Sequence, residues 1–323
     1  MNLHKNKKLF RDAIVATSQR LNIPEIYVEK DYWVTVALHT IFHSDISKEA
    51  VFKGGTALSK CHNLINRFSE DIDIVVLSNG GESGNKLKSK IKAITDVVSS
   101  AIPEVEIEGI TNKMGKIRKT AHQYERARLD GAFGQVREHI IVEATWLGNS
   151  EPSIDANVSC YIAEMMNATG QGAMIEEYSL QPISVRVLSV ERTFCEKIMS
   201  LVRFSFTQTP FVDLANKIRH IYDLHQMLKS KEVLEFLHSP KFDEMLLRVG
   251  GDDAVSFKNN NAWLKHHPKD TMIFNDPSGT WEKIKAPYNT TFKELVIRTL
   301  PPKEDLIISL QRIAQRLESI EWL

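Results

Sequence analysis

The sequence predicts an α+β fold: a mixed sheet flanked by helices over about residues 1–185, then a mainly helical C-terminal domain over 186–323. Three observations predict it. Short apolar runs suited to strands, at Ala50–Lys53, Ile72–Leu77 and Val136–Trp146, alternate with helical patterns in the first part. From Val190 onward, apolar residues recur at helical spacing instead. A chain of 323 residues also has room for two cores.

The elements follow in order. Residues 5–20 and 24–43 read as helices. In the second, Pro24 takes a first-turn position, and Tyr27, Val28, Trp33, Val34, Ala37, Leu38 and Ile41 form a broad apolar face. The run Glu29-Lys30-Asp31 within it reads as a polar helix face beside core aromatics. Ala50–Lys53 is the first strand, Thr56–Leu64 a helix, and Ile72–Leu77 the second strand. Ser78–Asn85 is a loop, leading into a basic helix, Lys86–Ser100. Val105–Ile110 and a segment near Gln123–Leu129 read as further strands, with Asn112–Lys119 as a polar hairpin turn. Val136–Trp146 is the next strand, and Glu143 is the acid within its apolar run. Ser-Ile-Asp-Ala-Asn around Asp155 reads as a turn or loop, and Ile183–Leu188 as a short strand. The second part opens with the helix Val190–Phe206, carrying Phe194, Ile198, Leu201 and Val202 at helical spacing. Pro210 introduces another helix to about Leu228. A loop-rich segment, Asn259–Thr291, precedes an amphipathic helix, Lys303–Trp322.

Composition narrows the classes. Lysines plus arginines equal aspartates plus glutamates at 41 each, so no global field points to nucleic acid, although a local basic patch stays open. Two stretches are candidates for such a patch: Lys86–Lys92, and Lys113–Arg128 with His122 and Tyr124 interleaved. Phosphate contacts beside aromatic stacking are how single-stranded RNA is held. Cys61, Cys160 and Cys195 form no C-x-x-C pair, which fits a reducing cytosol. His266-His267 lacks partners at zinc spacing. The basic N-terminus lacks the apolar run of a signal peptide, and no window approaches the roughly twenty apolar residues of a membrane span. The expectation is a cytoplasmic protein with no membrane partner.

The chemistry concentrates in Phe52-Lys53-Gly54-Gly55-Thr56-Ala57-Leu58-Ser59-Lys60 and Arg67-Phe68-Ser69-Glu70-Asp71-Ile72-Asp73-Ile74-Val75-Val76. Alternation along a strand points Asp71 and Asp73 the same way and the apolar residues into a core. Like charges that close repel unless a cation lies between them, and carboxylate oxygens suit Mg²⁺ or Mn²⁺. Glycines let a phosphate chain approach backbone N–H groups. No Walker lysine follows the glycines, and G-x-G-x-x-G is absent. The pattern suggests metal-assisted phosphoryl or nucleotidyl transfer.

At these residues the sequence resembles the polymerase-β-like nucleotidyltransferase superfamily. The wording GGTALSK…RFSEDIDIVV resembles the bacterial AbiEii/AbiGii-type toxins of abortive-infection toxin–antitoxin systems. The resemblance implies a metal pair held by Asp71, Asp73 and a third carboxylate, Glu143, with Asp155 in reserve. It implies nucleotide contacts from Gly54, Gly55, Thr56, Lys60, Ser69 and Arg219. By position in the family's later helices, with the helical domain completing a cleft, Lys197 and Asp223 join the catalytic set and Glu196 is a weaker carry-over. It also implies NMP transfer to an RNA 3′ end, tRNA among the candidates, and a cognate antitoxin. Two alternatives stay open: transfer of NMP or phosphate to a protein or small molecule, and a non-catalytic NTP-binding regulatory module.

Overall fold

The computed structural model describes residues 1–127, 129, 136–257 and 262–322. Contacts divide the chain into two units, Met1–Cys61 with Phe68–Leu188, and His62–Arg67 with Ser189–Leu323.

The first unit is built on a seven-stranded mixed sheet among the described residues. Its strands are β1 (Ala50–Lys53), β2 (Ile72–Val76), β3 (Glu104–Val105), β4 (Ile117–His122), β5 (Ile140–Thr145), β6 (Ser153–Val158) and β7 (Ile183–Leu188), in the order β3-β4-β5-β2-β1-β7-β6. Pairing is parallel for β1 with β7 and β2 with β5, and antiparallel elsewhere. The central strands are apolar nearly throughout, as strands covered on both faces must be. Helices α1 (Lys7–Leu21), α2 (Glu25–Phe42), α3 (Gly54–Lys60), α4 (Gly84–Ala101), α5 (Tyr161–Ala168) and α6 (Gly172–Glu177) complete the unit. Helix α4 starts where the Ser83 side chain accepts from Lys86 N at 3.3 Å, and buries Leu87, Ile91, Ile94 and Val98 along one face. Helix α2 packs against α1, α4, α5 and the sheet, so its buried surface extends around most of its circumference.

Four sequence expectations shift. The strand expected at Val105–Ile110 is only Glu104–Val105, and the polar segment read as a hairpin turn, Asn112–Lys119, contains the first half of β4. Gln123–Ala127 carries no strand, while Arg128 lies outside the described residues. Asp155, read as a turn, sits in β6, a sheet-edge strand whose exposed side chains hide the strand period.

The second unit is helical: α7 (Val190–Phe204), α8 (Pro210–Asn216), α9 (Ile218–Met227), α10 (Lys231–Leu237), α11 (Pro240–Ser256), short helices through 262–295, and a last helix Lys303–Leu317. The single helix expected from Pro210 to Leu228 breaks at Lys217. The loop-rich segment contains Met272–Asn275, Pro277–Ile284 and Ala286–Asn289 as helices. Ser189 caps α7 by accepting from Arg192 N, and α7 packs on α9 and α11 through Phe194, Ile198, Leu201 and Val202.

Candidate active site

Strand register assembles the site. Lys53 opposes Asp73, Asp73 opposes Glu143, and Glu143 opposes Lys119, across the adjacent strands β1, β2, β5 and β4. Directly opposed residues project from the same face, so four charges form one row with carboxylates inside and lysines outside. Asp71, two residues before Asp73, continues that alternation. Lys119 Nζ lies 3.3 Å from Glu143 Oε2, and the Arg137 guanidinium pairs with Asp71 Oδ1.

The glycine turn is shaped by Asp73. Gly54 has φ +83, and a Cβ there would lie 2.2 Å from Asp73 Oδ2. Only glycine admits both the left-handed backbone and that carboxylate. Gly55 follows in the first turn of α3. Thr56 is fully buried and donates to Asp71 O at 2.6 Å, with its oxygen 3.1 Å from Ser69 Oγ. Thr56, expected on a phosphate, instead pins the loop that carries Asp71. Lys60, likewise expected on nucleotide, is 6% exposed at its side chain and pairs with Asp31. Its neighbour on the other side is the Tyr161 ring, 5.4 Å away.

The electrostatics expose the crowding. Burial, then the charges of Glu143 and Asp71, push the Asp73 carboxyl up to about 7, with Lys53 and Lys119 pulling the other way. Such oxygens fit a hard divalent cation in kind, and the like-charge crowding is what one would relieve. Among the described residues, no group of three or more His, Cys, Asp or Glu side chains is closed around a cation as it stands. Two of the three carboxylates are paired with Arg137 and Lys119.

Behind the row, α2 carries charge into the core. Glu29, Lys30 and Asp31 are 1%, 0% and 4% exposed, so the run is no solvated face. Each is partnered, as buried charge requires. Glu29 accepts from Ala127 N at 2.5 Å, and burial raises its carboxyl to about 7. Asp31 takes Lys60 and the Tyr161 N–H at 2.8 Å. Lys30 donates to Arg137 O at 2.5 Å and to His139 O, and lies 3.4 Å from Glu70 Oε2. Glu70 Oε1 accepts from Arg137 N at 2.9 Å.

In the second unit, Asp223 is fully buried. It accepts from Arg67 Nε at 2.7 Å, Arg67 Nη2 at 2.8 Å and Lys197 Nζ at 2.8 Å. Although burial opposes it, these two cations hold the Asp223 carboxyl well below the usual range. Asp223 therefore pairs with Arg67 and Lys197, while Arg219 is exposed on the same helix and Glu196 pairs with Arg192.

The basic stretches are largely engaged within the fold. Lys90 pairs with Glu49 and Glu82, Lys86 with Glu82, and Lys92 with Asp96. Lys113 pairs with Glu104 and Arg126 with Glu138. His122 is 0% and Tyr124 3% exposed, the latter stacked on Trp33, so neither can stack on a base. The residues that sequence reading missed are Lys53, Arg137, Lys30 and Arg67. Their roles depend on register and long-range contacts that no local motif announces.

A profile for the nucleotidyl transferase AbiEii toxin of type IV toxin–antitoxin systems matches residues 36–304. The chain belongs to that family. It is a nucleotidyltransferase toxin of a type IV toxin–antitoxin system, a class that implies an antitoxin partner. Among solved structures it is similar to MenT4, a nucleotidyltransferase toxin from Mycobacterium tuberculosis H37Rv. That likeness has 14% identity and a TM-score of 0.51, and covers 98% of this chain and 90% of that one. The α+β nucleotidyltransferase fold expected from the sequence is the one found. No curated protein matches the chain. Among the described residues, no helix is long and apolar enough to cross a membrane.

Proposed function

We propose that this toxin transfers a nucleoside monophosphate from an NTP to an RNA 3′ end, tRNA among the candidate acceptors, with Mg²⁺ or Mn²⁺ held by Asp71, Asp73 and Glu143. The observation that carries the reading is the opposed pair Asp73–Glu143 with Asp71 beside it on one sheet face. When bound, the ion would neutralise the carboxylates and polarise the transferred phosphoryl group. The remaining work belongs to the chain. Gly54 and Gly55 leave backbone N–H groups open to the phosphates, and the Thr56 hydroxyl holds the Asp71 loop in place. Glu143, with a side chain 33% exposed, can accept the proton of the attacking hydroxyl. Lys53 and Lys119 flank the carboxylates, where they offset charge on the triphosphate and departing pyrophosphate. For Asp223 we propose a holding role, fixing Lys197 together with Arg67 inside the second unit.

Each labelled NTP is incubated with the protein plus total RNA, and separately with lysate protein. Label in RNA that disappears with Asp71→Ala and Glu143→Ala supports the reading. Label confined to protein overturns the acceptor, and toxicity surviving both substitutions overturns catalysis as its basis.

A further inference from the structure

Arg137 is held with more care than a surface arginine needs. Its main-chain N–H is fixed by Glu70 at 2.9 Å, and its carbonyl by Lys30 at 2.5 Å. Lys30 has no exposure, and its ammonium also binds His139 O and neighbours Glu70. The backbone of Arg137 is therefore fixed on both sides, by Glu70 at its N–H and by a fully buried lysine at its carbonyl. The side chain so positioned is 40% exposed and, among the described residues, forms its ion pair with Asp71. An exposed pair adds little stability by itself, so the buried clamp behind it points to placement of the guanidinium.

We propose that Arg137 is a nucleotide-binding residue of this reaction, paired with Asp71 in the structure and taking the NTP phosphates when a divalent cation is held by that carboxylate. The inference rests on the nucleotidyl-transfer reading above. Its chemistry is an exchange of partners. Asp71 would hold the cation in place of its ion pair with Arg137, and the guanidinium, tethered by its fixed backbone, would remain available to the triphosphate. A planar fork of five N–H donors matches phosphate oxygens better than a lysine ammonium does. Arg137 thus also competes with the cation while no nucleotide is present.

The test uses the full chain with Mn²⁺ alone, followed by electron paramagnetic resonance of the free ion. ATP, CTP, GTP and UTP are then titrated in turn at saturating Mn²⁺. Arg137→Met should bind Mn²⁺ about two- to fivefold more tightly without nucleotide, because a competing ion pair is gone. It should bind the accepted NTP about tenfold more weakly, with KM raised more than kcat is lowered. Arg137→Lys should restore the weaker Mn²⁺ binding yet recover only part of the NTP affinity. Melting curves matching the parent establish that both variants fold, as expected at so exposed a position. Unchanged Mn²⁺ and NTP affinities in Arg137→Met, with normal binding by the parent, overturn this inference alone. A parent that binds neither Mn²⁺ nor any NTP overturns the nucleotidyl-transfer reading and this inference with it.

Discussion

Asp73 lies between Lys53 and Glu143 in the sheet, and burial with two neighbouring carboxylates lifts it from 3.8 to about 7. The sign for stability follows from proton counts. Between those two values the folded state holds a proton that the unfolded state has lost, so stability falls as pH rises through that window. Asp73→Asn removes this liability. It should stabilise the fold by about 1–2 kcal/mol above pH 7 and by almost nothing near pH 4, while abolishing nucleotidyl transfer. Thermal melts at both pH values check the first part and product formation the second; a variant destabilised at pH 8 would sink it. Mn²⁺ binding by the parent should strengthen as pH rises through about 7, because the ion takes the ionised form. Gly54 bears on the same oxygen from the other side. Gly54→Ala places a methyl 2.2 Å from Asp73 Oδ2 on a backbone with φ +83. The expected cost is about 2–3 kcal/mol in urea unfolding, with activity down about a hundredfold as the carboxylate is displaced.

Helix α2 shows what a local sequence pattern leaves out. Glu29, Lys30 and Asp31 read as a polar helix face beside core aromatics, yet each is buried and has a distant partner, from Lys60 to Arg137. Lys30→Met should therefore act like the loss of one member of a buried pair, leaving Glu70 and two carbonyls without their cation. The expected loss is about 3–5 kcal/mol, with amide protection falling around residues 137–139 before it falls in β7. Hydrogen exchange read peptide by peptide checks it; uniform loss across the sheet would count against a local clamp. Strands β1, β2, β5 and β7 were legible because their apolar runs are short and bounded. Strand β4, Ile117–His122, was not: its inner half buries Thr120 and His122, which satisfy one another at 2.9 Å and so break the apolar period. The glycine turn and the two aspartates were legible as a local motif. The lysines that frame them were not, since Lys53, Asp73, Lys119 and Glu143 meet only through the register of four strands.

At the scale of the whole molecule, the chain enters its second unit twice, first for the short segment His62–Arg67 and again from Ser189. That short segment is integral to the helical unit. Ile297 N donates to Asn66 O at 3.0 Å, Arg67 bridges to Val296, and the Arg67 side chain gives Asp223 two of its three donors. A fragment of residues 189–323 therefore keeps every helix of the unit but leaves Asp223 with Lys197 alone. In the full chain, Asp223→Asn uncouples two buried cations and should cost about 3–5 kcal/mol. Because the Asp223 carboxyl is depressed, this stabilisation is present above the unfolded value of 3.8 and is lost as pH falls below it. In the fragment the same substitution should cost distinctly less, since the Arg67 half of the interaction is already missing and the two losses do not add. Arg67→Met in the full chain should reproduce the fragment's reduced sensitivity. Urea unfolding of the four species, parent and Asp223→Asn in each length, gives the coupling directly. Equal losses in both lengths would mean that Arg67 does not stabilise the unit through Asp223, and that Lys197 alone carries the buried charge.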